Sequence, residues 1–265
     1  MIENLALGTA RWGSEIDKKI AFKLLDRFVE SGGRFIDSAA NYPINGVAED
    51  FGLANKFLSE WFSLNQDVDL SIFVKLGSVS NSGGPESDLS AGTIHNNFES
   101  LHHKFGKSLG GVGVHWDNRG IDMAEQVHET IQQLELFHKN GFRIGISGVR
   151  EVGTYLRLAP SLENVWEIQV REKVDDHSIR DSYLGFFPNA SYFVYGINGR
   201  RLSSSTSVRG SEDINTQSEK QESNADRYFL WIKTILDRNG VHKVIIGPRT
   251  LQQLDSILIR MHRIP

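Results

Sequence analysis

Short apolar runs alternate along this chain with longer segments in which apolar residues recur every three or four positions. The first pattern suits strands buried on both faces, and the second suits helices with one buried face. Leu5 to Gly8 reads as the first strand. From Asp17, a residue type that caps helix starts, Ala21, Leu24, Leu25 and Phe28 share one face until Ser31-Gly32-Gly33 ends the helix. Arg34 to Asp37 is the second strand, and the helix after it carries Phe51, Ala54, Phe57, Leu58 and Trp61. Ile72 to Lys75 is the third. Beyond a loop rich in Gly, Ser, Asn and Pro, Ile94, Phe98, Leu101 and Phe105 fall on one helix face before the strand Leu109 to His115.

A helix from about Asp122 to Asn140 turns Ala124, Val127, Ile131 and Leu134 inward, and Gly141 follows where a terminating glycine belongs. The pattern continues with the strand Arg143 to Ser147, a short helix beyond Val149, the strand Val165 to Val170, a weaker helix around Asp176 to Leu184 and the strand Tyr192 to Tyr195. A helix from about Ala225 to Arg238, the strand Lys243 to Ile246 and a helix from Thr250 complete it. Length alone allows one large barrel or two small domains. Eight strand-then-helix units with parallel, right-handed crossovers predict an α/β fold: one closed (β/α)8 barrel of the TIM type, a single domain over residues 1–265. Ser203 to Ser223 breaks the rhythm. It holds almost no large apolar side chain, so it is expected to be a mobile polar loop, either a surface insertion or a lid that brings Arg200, Arg201 or Arg209 to a phosphate.

Composition narrows the function. A formal charge of -4 on 265 residues gives no general attraction for nucleic acid or an anionic membrane, so neither partner is expected. Without cysteine there is no disulfide, thiol nucleophile or Cys-ligated zinc, and no His-x-His opens the first strand to suggest a metal-dependent hydrolase, so no metal site is expected. No apolar run approaches membrane length, and the N-terminus lacks a basic stretch followed by a long apolar core, which makes the cytoplasm the expected location.

The strands read above end on groups that ionise or hydrogen-bond: Asp37, Lys75, His115, Ser147, Gln169 and Tyr195. A strand-end Asp often caps a loop, a Lys often snorkels and a His beside Trp116 often just packs, but a barrel brings all these ends to one face. The loop after Asp37 adds Tyr42. Its phenol, protonated at neutral pH, is suited to donate to a developing alkoxide. Lys75 is expected to lower the phenol pKa, Asp37 to keep Lys75 charged despite burial, and His115 to align a carbonyl oxygen. Reduction would still need a bound hydride donor. A Schiff-base lyase using Lys75 is the alternative from another enzyme class.

The stretches GGRFIDSAANY, GVAEDFG, FVKLG and GVGVHWD, with IIGPRTLQQL near the end, occur in the order seen in the aldo-keto reductases, which the chain resembles from Leu5 to about Ile259. The resemblance implies an NADPH-dependent barrel reductase whose tetrad is Asp37, Tyr42, Lys75 and His115, acting on a small-molecule carbonyl substrate. It further implies Ser147 and Gln169 on the nicotinamide carboxamide, Tyr195 stacked on the ring, and Gly8 and Thr9 beside the cofactor. Gly247, Arg249, Thr250 and Gln253 in the last motif imply a grip on the 2'-phosphate, a guanidinium and a hydroxyl at a helix start being suited to an anion. Trp12, Tyr42, His115 and Trp116 are the expected substrate walls. The chain departs from the family at Gly148, where an amide residue is usual, at Ser256-Ile257, where an asparagine is usual, and in lacking a long C-terminal substrate loop. Some relatives bind cofactor in a regulatory role with little turnover, a third reading. Oligomeric state and physiological substrate are not legible.

Overall fold

A computed structural model describes residues 1–173, 175–196 and 226–262, so the polar segment 203–223 lies outside the described residues. The strands are β1 (Leu5–Gly8), β2 (Phe35–Ala39), β3 (Ser71–Gly77), β4 (Leu109–Asp117), β5 (Arg143–Val149), β6 (Glu167–Arg171), β7 (Ser191–Tyr195) and β8 (Val241–Ile246). They pair in sequence order, all parallel, and β8 returns to β1 to close the barrel. The helices are α1 (Lys18–Glu30), α2 (Leu53–Leu64), α3 (Ala91–Phe105), α4 (Ala124–Lys139), α5 (Val152–Leu158), α6 (Ser178–Leu184), α7 over 226–236 and α8 (Leu251–His262).

Local chemistry sets where helices start. The Asp17 carboxylate accepts from Ile20 N at 2.8 Å and begins α1, so the next four buried apolar residues face the sheet. At α8, Gln253 N donates to Thr250 Oγ1 at 3.2 Å while Gln253 Oε1 accepts from Arg249 N at 2.8 Å, a reciprocal pair that fixes the turn. Of the apolar residues assigned to α2, Phe51 instead precedes the helix and is exposed.

Alternation along each strand divides the apolar side chains into two groups. Leu7, Ile36, Ile72, Val74, Val112, Val114, Ile144, Ile146 and Ile168 join the helix faces in the outer core, whereas Ala6, Phe35, Phe73 and Phe193 form a small separate cluster inside the barrel. The lumen is thus a packed plug. A Cβ on Gly113 or on Gly145 would come within 2.9 Å of Phe73 Cζ, so the bare backbones of β4 and β5 are what admit that ring.

One sequence reading needs correction. Every strand from β2 to β6 runs two residues past Asp37, Lys75, His115, Ser147 or Gln169, whereas β1, β7 and β8 end on the residues expected, Gly8, Tyr195 and Ile246. Each extra pair contains a glycine, serine or charged residue that interrupts the apolar run, while the backbone ladder continues through Ala39↔Lys75 and Gly77↔His115.

Candidate active site

Two-residue periodicity and strand stagger together assemble the site. His115, Ser147 and Gln169 lie side by side, paired across β4, β5 and β6, while Asp37 on β2 and Lys75 on β3 are each offset by one inward position from the next strand. All five side chains are buried at the C-terminal end of the barrel. Lys75 Nζ donates to both Asp37 oxygens, at 2.7 and 2.6 Å, and to Gln169 Oε1 at 3.0 Å. Gln169 Nε2 closes the loop by donating to Asp37 Oδ1 at 2.7 Å. A buried ion pair is tolerable only when further hydrogen bonds satisfy its charges, and the Gln169 amide supplies them here.

Tyr42 reaches this cluster from the loop after β2. Its ring lies under the Lys75 ammonium, 5.1 Å from Nζ to the centroid, and edge-on to His115 at 5.8 Å. Burial, and then the Asp37 charge, push the Tyr42 phenol well above its ordinary pKa. The lowering expected from Lys75 is overturned first by burial and then by the Asp37 carboxylate, both of whose oxygens accept from the ammonium. The phenol is therefore a protonated donor in this state. Burial and the Lys75 charge hold His115 well below its usual pKa, which keeps the imidazole neutral. Ser78 Oγ, 3.5 Å from His115 Nδ1, donates to the His115 carbonyl at 2.9 Å.

The remaining expected residues divide into those at the mouth and those beneath it. Tyr195 is half-buried, and burial, followed by the field of Tyr42, raises its pKa. No hydrogen bond among the described residues engages the Tyr42, Ser147 or Tyr195 hydroxyls, nor Nε2 of His115, leaving four groups with bonding capacity around one opening. Trp116 lies 4.3 Å from His115 by centroids and packs over Gly148; a Cβ there would meet Trp116 Cδ1 at 2.3 Å, and φ is +67°. The indole thus fills the space of the side chain that Gly148 lacks. Thr9 is fully buried, its hydroxyl donating to Asp37 O at 3.1 Å and Ser38 Oγ at 2.9 Å, so it anchors β2. Trp12, in the loop after β1, is 0% exposed and packs in the same apolar cluster as Tyr42, and its indole nitrogen has no hydrogen-bond partner among the described residues. Gly247, Thr250 and Gln253 are exposed beside the half-buried Arg249, whose Nε contacts Glu15 Oε2 at 2.8 Å.

Sequence reading missed the supporting polar networks. Ser38 Oγ donates to Asn55 Oδ1 at 2.7 Å and Asn55 Nδ2 to Ala39 O at 3.0 Å, clamping the end of β2 to α2. The signal was present: Asn55 is a polar residue on an otherwise apolar helix face. Asp117 accepts from Arg119 Nη2 and Tyr155 Oη, each at 2.7 Å, and fixes the end of β4. A cleft of about 380 Å³ lined by Ile121, Arg150, Arg157 and Phe186 holds none of the strand-borne groups. Among the described residues no cluster of side chains suits a metal ion, and no helix is long and apolar enough to cross a membrane.

Both the sequence and the closed parallel barrel match known proteins. A model of the aldo/keto reductase family matches residues 4–159, more than half of the chain, and the chain belongs to that family. It is similar to norsolorinic acid reductase stcV of Emericella nidulans, 33% identical over 39% of this chain and 25% of that protein. It is also similar to the uncharacterized oxidoreductase YrpG of Bacillus subtilis, 32% identical over 23% of this chain and 18% of that one. These matches span a quarter or less of the relatives' length. Among solved structures, the holo form of an aldo-keto reductase from Bacillus halodurans superimposes with a TM-score of 0.71 at 19% identity, over 99% of this chain and 87% of the other. The glycerol dehydrogenase of Gluconobacter oxydans gives 0.67 at 16% identity, over 96% and 85%. At such identities the likeness is one of fold.

Proposed function

We propose that this protein is a cytoplasmic NADPH-dependent oxidoreductase that reduces a small carbonyl compound, an aldehyde, ketone or sugar, to an alcohol. The observation that carries this reading is the convergence of Tyr42, Lys75, Asp37 and His115, with no hydrogen bond from the described residues to the phenol hydroxyl or His115 Nε2. The names of the relatives, a reductase and a dehydrogenase, agree with it.

The residues present suit a nicotinamide dinucleotide. Ser147 and Gln169 supply a hydroxyl and an amide for a carboxamide, Tyr195 a half-buried ring, Gly8 an approach without a side chain, and Arg249 with Thr250 a cation and a hydroxyl at the start of α8 for a 2'-phosphate. When bound, the cofactor supplies a hydride to the carbonyl carbon. The protein's part is proton delivery and alignment. His115, neutral, orients the carbonyl oxygen by a hydrogen bond, and Tyr42 Oη gives that oxygen its proton as negative charge develops there. Lys75, held by Asp37 and Gln169, stabilises the phenolate left behind, which water reprotonates. Trp116 and Tyr42 offer apolar surface to the substrate.

Lys75 is poorly placed to act as a Schiff-base nucleophile, because its nitrogen is already engaged by three acceptor atoms, two on Asp37 and one on Gln169. Titration of the purified protein with NADPH, followed by a carbonyl screen monitored by loss of cofactor absorbance, tests the proposal. Failure to bind either NADPH or NADH would remove it.

A further inference from the structure

Arg249 is already engaged. Its Nε lies 2.8 Å from Glu15 Oε2, and Glu15 is gripped from the other side by Arg11 Nη1, 2.8 Å from each carboxylate oxygen. Glu15 belongs to the loop after β1 and Arg249 to the loop after β8, strands that neighbour each other only because the barrel closes. The Glu15 loop is well anchored: Gly13 N donates to Ile16 O at 2.8 Å, and Trp12 and Ile16 on either side of it are buried. The Glu15 side chain is 49% exposed and that of Arg249 40%, so both stand at the rim.

A guanidinium edge accommodates one oxyanion at a time in good geometry. A 2'-phosphate arriving at Arg249 must displace Glu15 from that edge and then tolerate a like charge held nearby by Arg11. A 2'-hydroxyl has no such conflict, since it carries a proton that a carboxylate can accept. We propose that Glu15 is a specificity-determining residue that weakens the preference of this site for NADPH over NADH, by occupying Arg249 and repelling the 2'-phosphate. The inference rests on the reading of Arg249 as the 2'-phosphate ligand. Because the pair is half exposed, its effect is several-fold and falls with added salt.

The test is to measure dissociation constants for NADPH and NADH from quenching of intrinsic tryptophan fluorescence in the wild type, Glu15→Gln, Arg249→Ala and the double variant. Glutamine keeps an acceptor for Arg11, so the loop is retained. The expected result is that Glu15→Gln raises the ratio of NADH to NADPH dissociation constants about 3-fold or more, and that the gain vanishes in the Arg249→Ala background. A ratio that stays level or falls in Glu15→Gln, while Arg249→Ala weakens NADPH, overturns the inference and leaves the cofactor reading standing. A gain that survives without Arg249 also overturns it. If Arg249→Ala leaves NADPH binding unchanged, both fall.

Discussion

At Tyr42 the environment separates two jobs that a single residue is asked to do. In the proton-donor role proposed for it, the phenol holds its proton until the transition state, favoured by burial and the Asp37 charge, and then loses it, which a nearby cation eases. Lys75 meets the second need from 5.1 Å above the ring. Tyr42→Phe keeps the ring packed against His115 and removes only the acid. Carbonyl reduction is expected to fall by at least ~10²-fold in single-turnover assays while the NADPH dissociation constant stays within error; retained activity would disqualify the phenol. For Lys75, borohydride added with a carbonyl substrate and no cofactor is expected to leave the protein mass unchanged, and an adduct mapped to Lys75 would favour the lyase instead. Asp37, Lys75 and His115 were legible because each sits at the polar end of an apolar run, and Tyr42 because it follows one in the next loop. The clasp of Gln169 on both Asp37 and Lys75 was not, since it depends on stagger across strands that sequence spacing does not encode.

Strand and helix identities follow from periodicity alone, but the ends of these elements follow from side chains that periodicity treats as noise. At the end of β2, Ser38 and Ala39 continue the strand because Thr9, Ser38 and Asn55 form a buried chain joining the β1 loop, β2 and α2. That chain sets the direction in which the backbone leaves toward Tyr42. Asn55→Leu preserves volume but strips partners from Ser38 Oγ and the Ala39 carbonyl, both buried. Each keeps a second partner, Thr9 Oγ1 for the Ser38 hydroxyl and Tyr42 N, at 3.3 Å, for the Ala39 carbonyl, so the loss is that of one hydrogen bond at each, about 0.5–1.5 kcal/mol. The expected outcome is a lower urea midpoint by that order of stability, and a Ser38→Ala change that costs less in the Asn55→Leu background than alone. Strict additivity of the two would show that the chain does not act as a unit.

Across the whole molecule the barrel is layered, and only its upper layer was anticipated. The count of strand–helix units pointed to closure, and the ends of the strands pointed to a polar mouth. The floor escaped notice because Arg143 opens its strand and Glu167 reads as one position inside the run Val165 to Val170, whereas the structure starts β6 at Glu167. In the structure Glu167 is buried beside Arg143, with Nη1 at 3.2 Å from Oε1, while its Oε2 finds no partner. Burial lifts the carboxyl pKa from 4.5 to about 7, with Asp37 adding to the rise and Arg143 and Lys243 acting against it. A carboxyl whose folded pKa is raised binds its proton more tightly when folded. Its contribution is therefore fully present below about 4.5 and is lost as pH rises through about 7. Glu167→Gln cannot ionise yet keeps an oxygen for Arg143. Comparing urea denaturation between about pH 5 and 8, the variant's stability is expected to gain on the wild type as pH rises, by an amount on the order of 1–3 kcal/mol. Parallel curves for the two proteins would mean that Glu167 stays ionised in the folded barrel, with Arg143 and Lys243 outweighing burial.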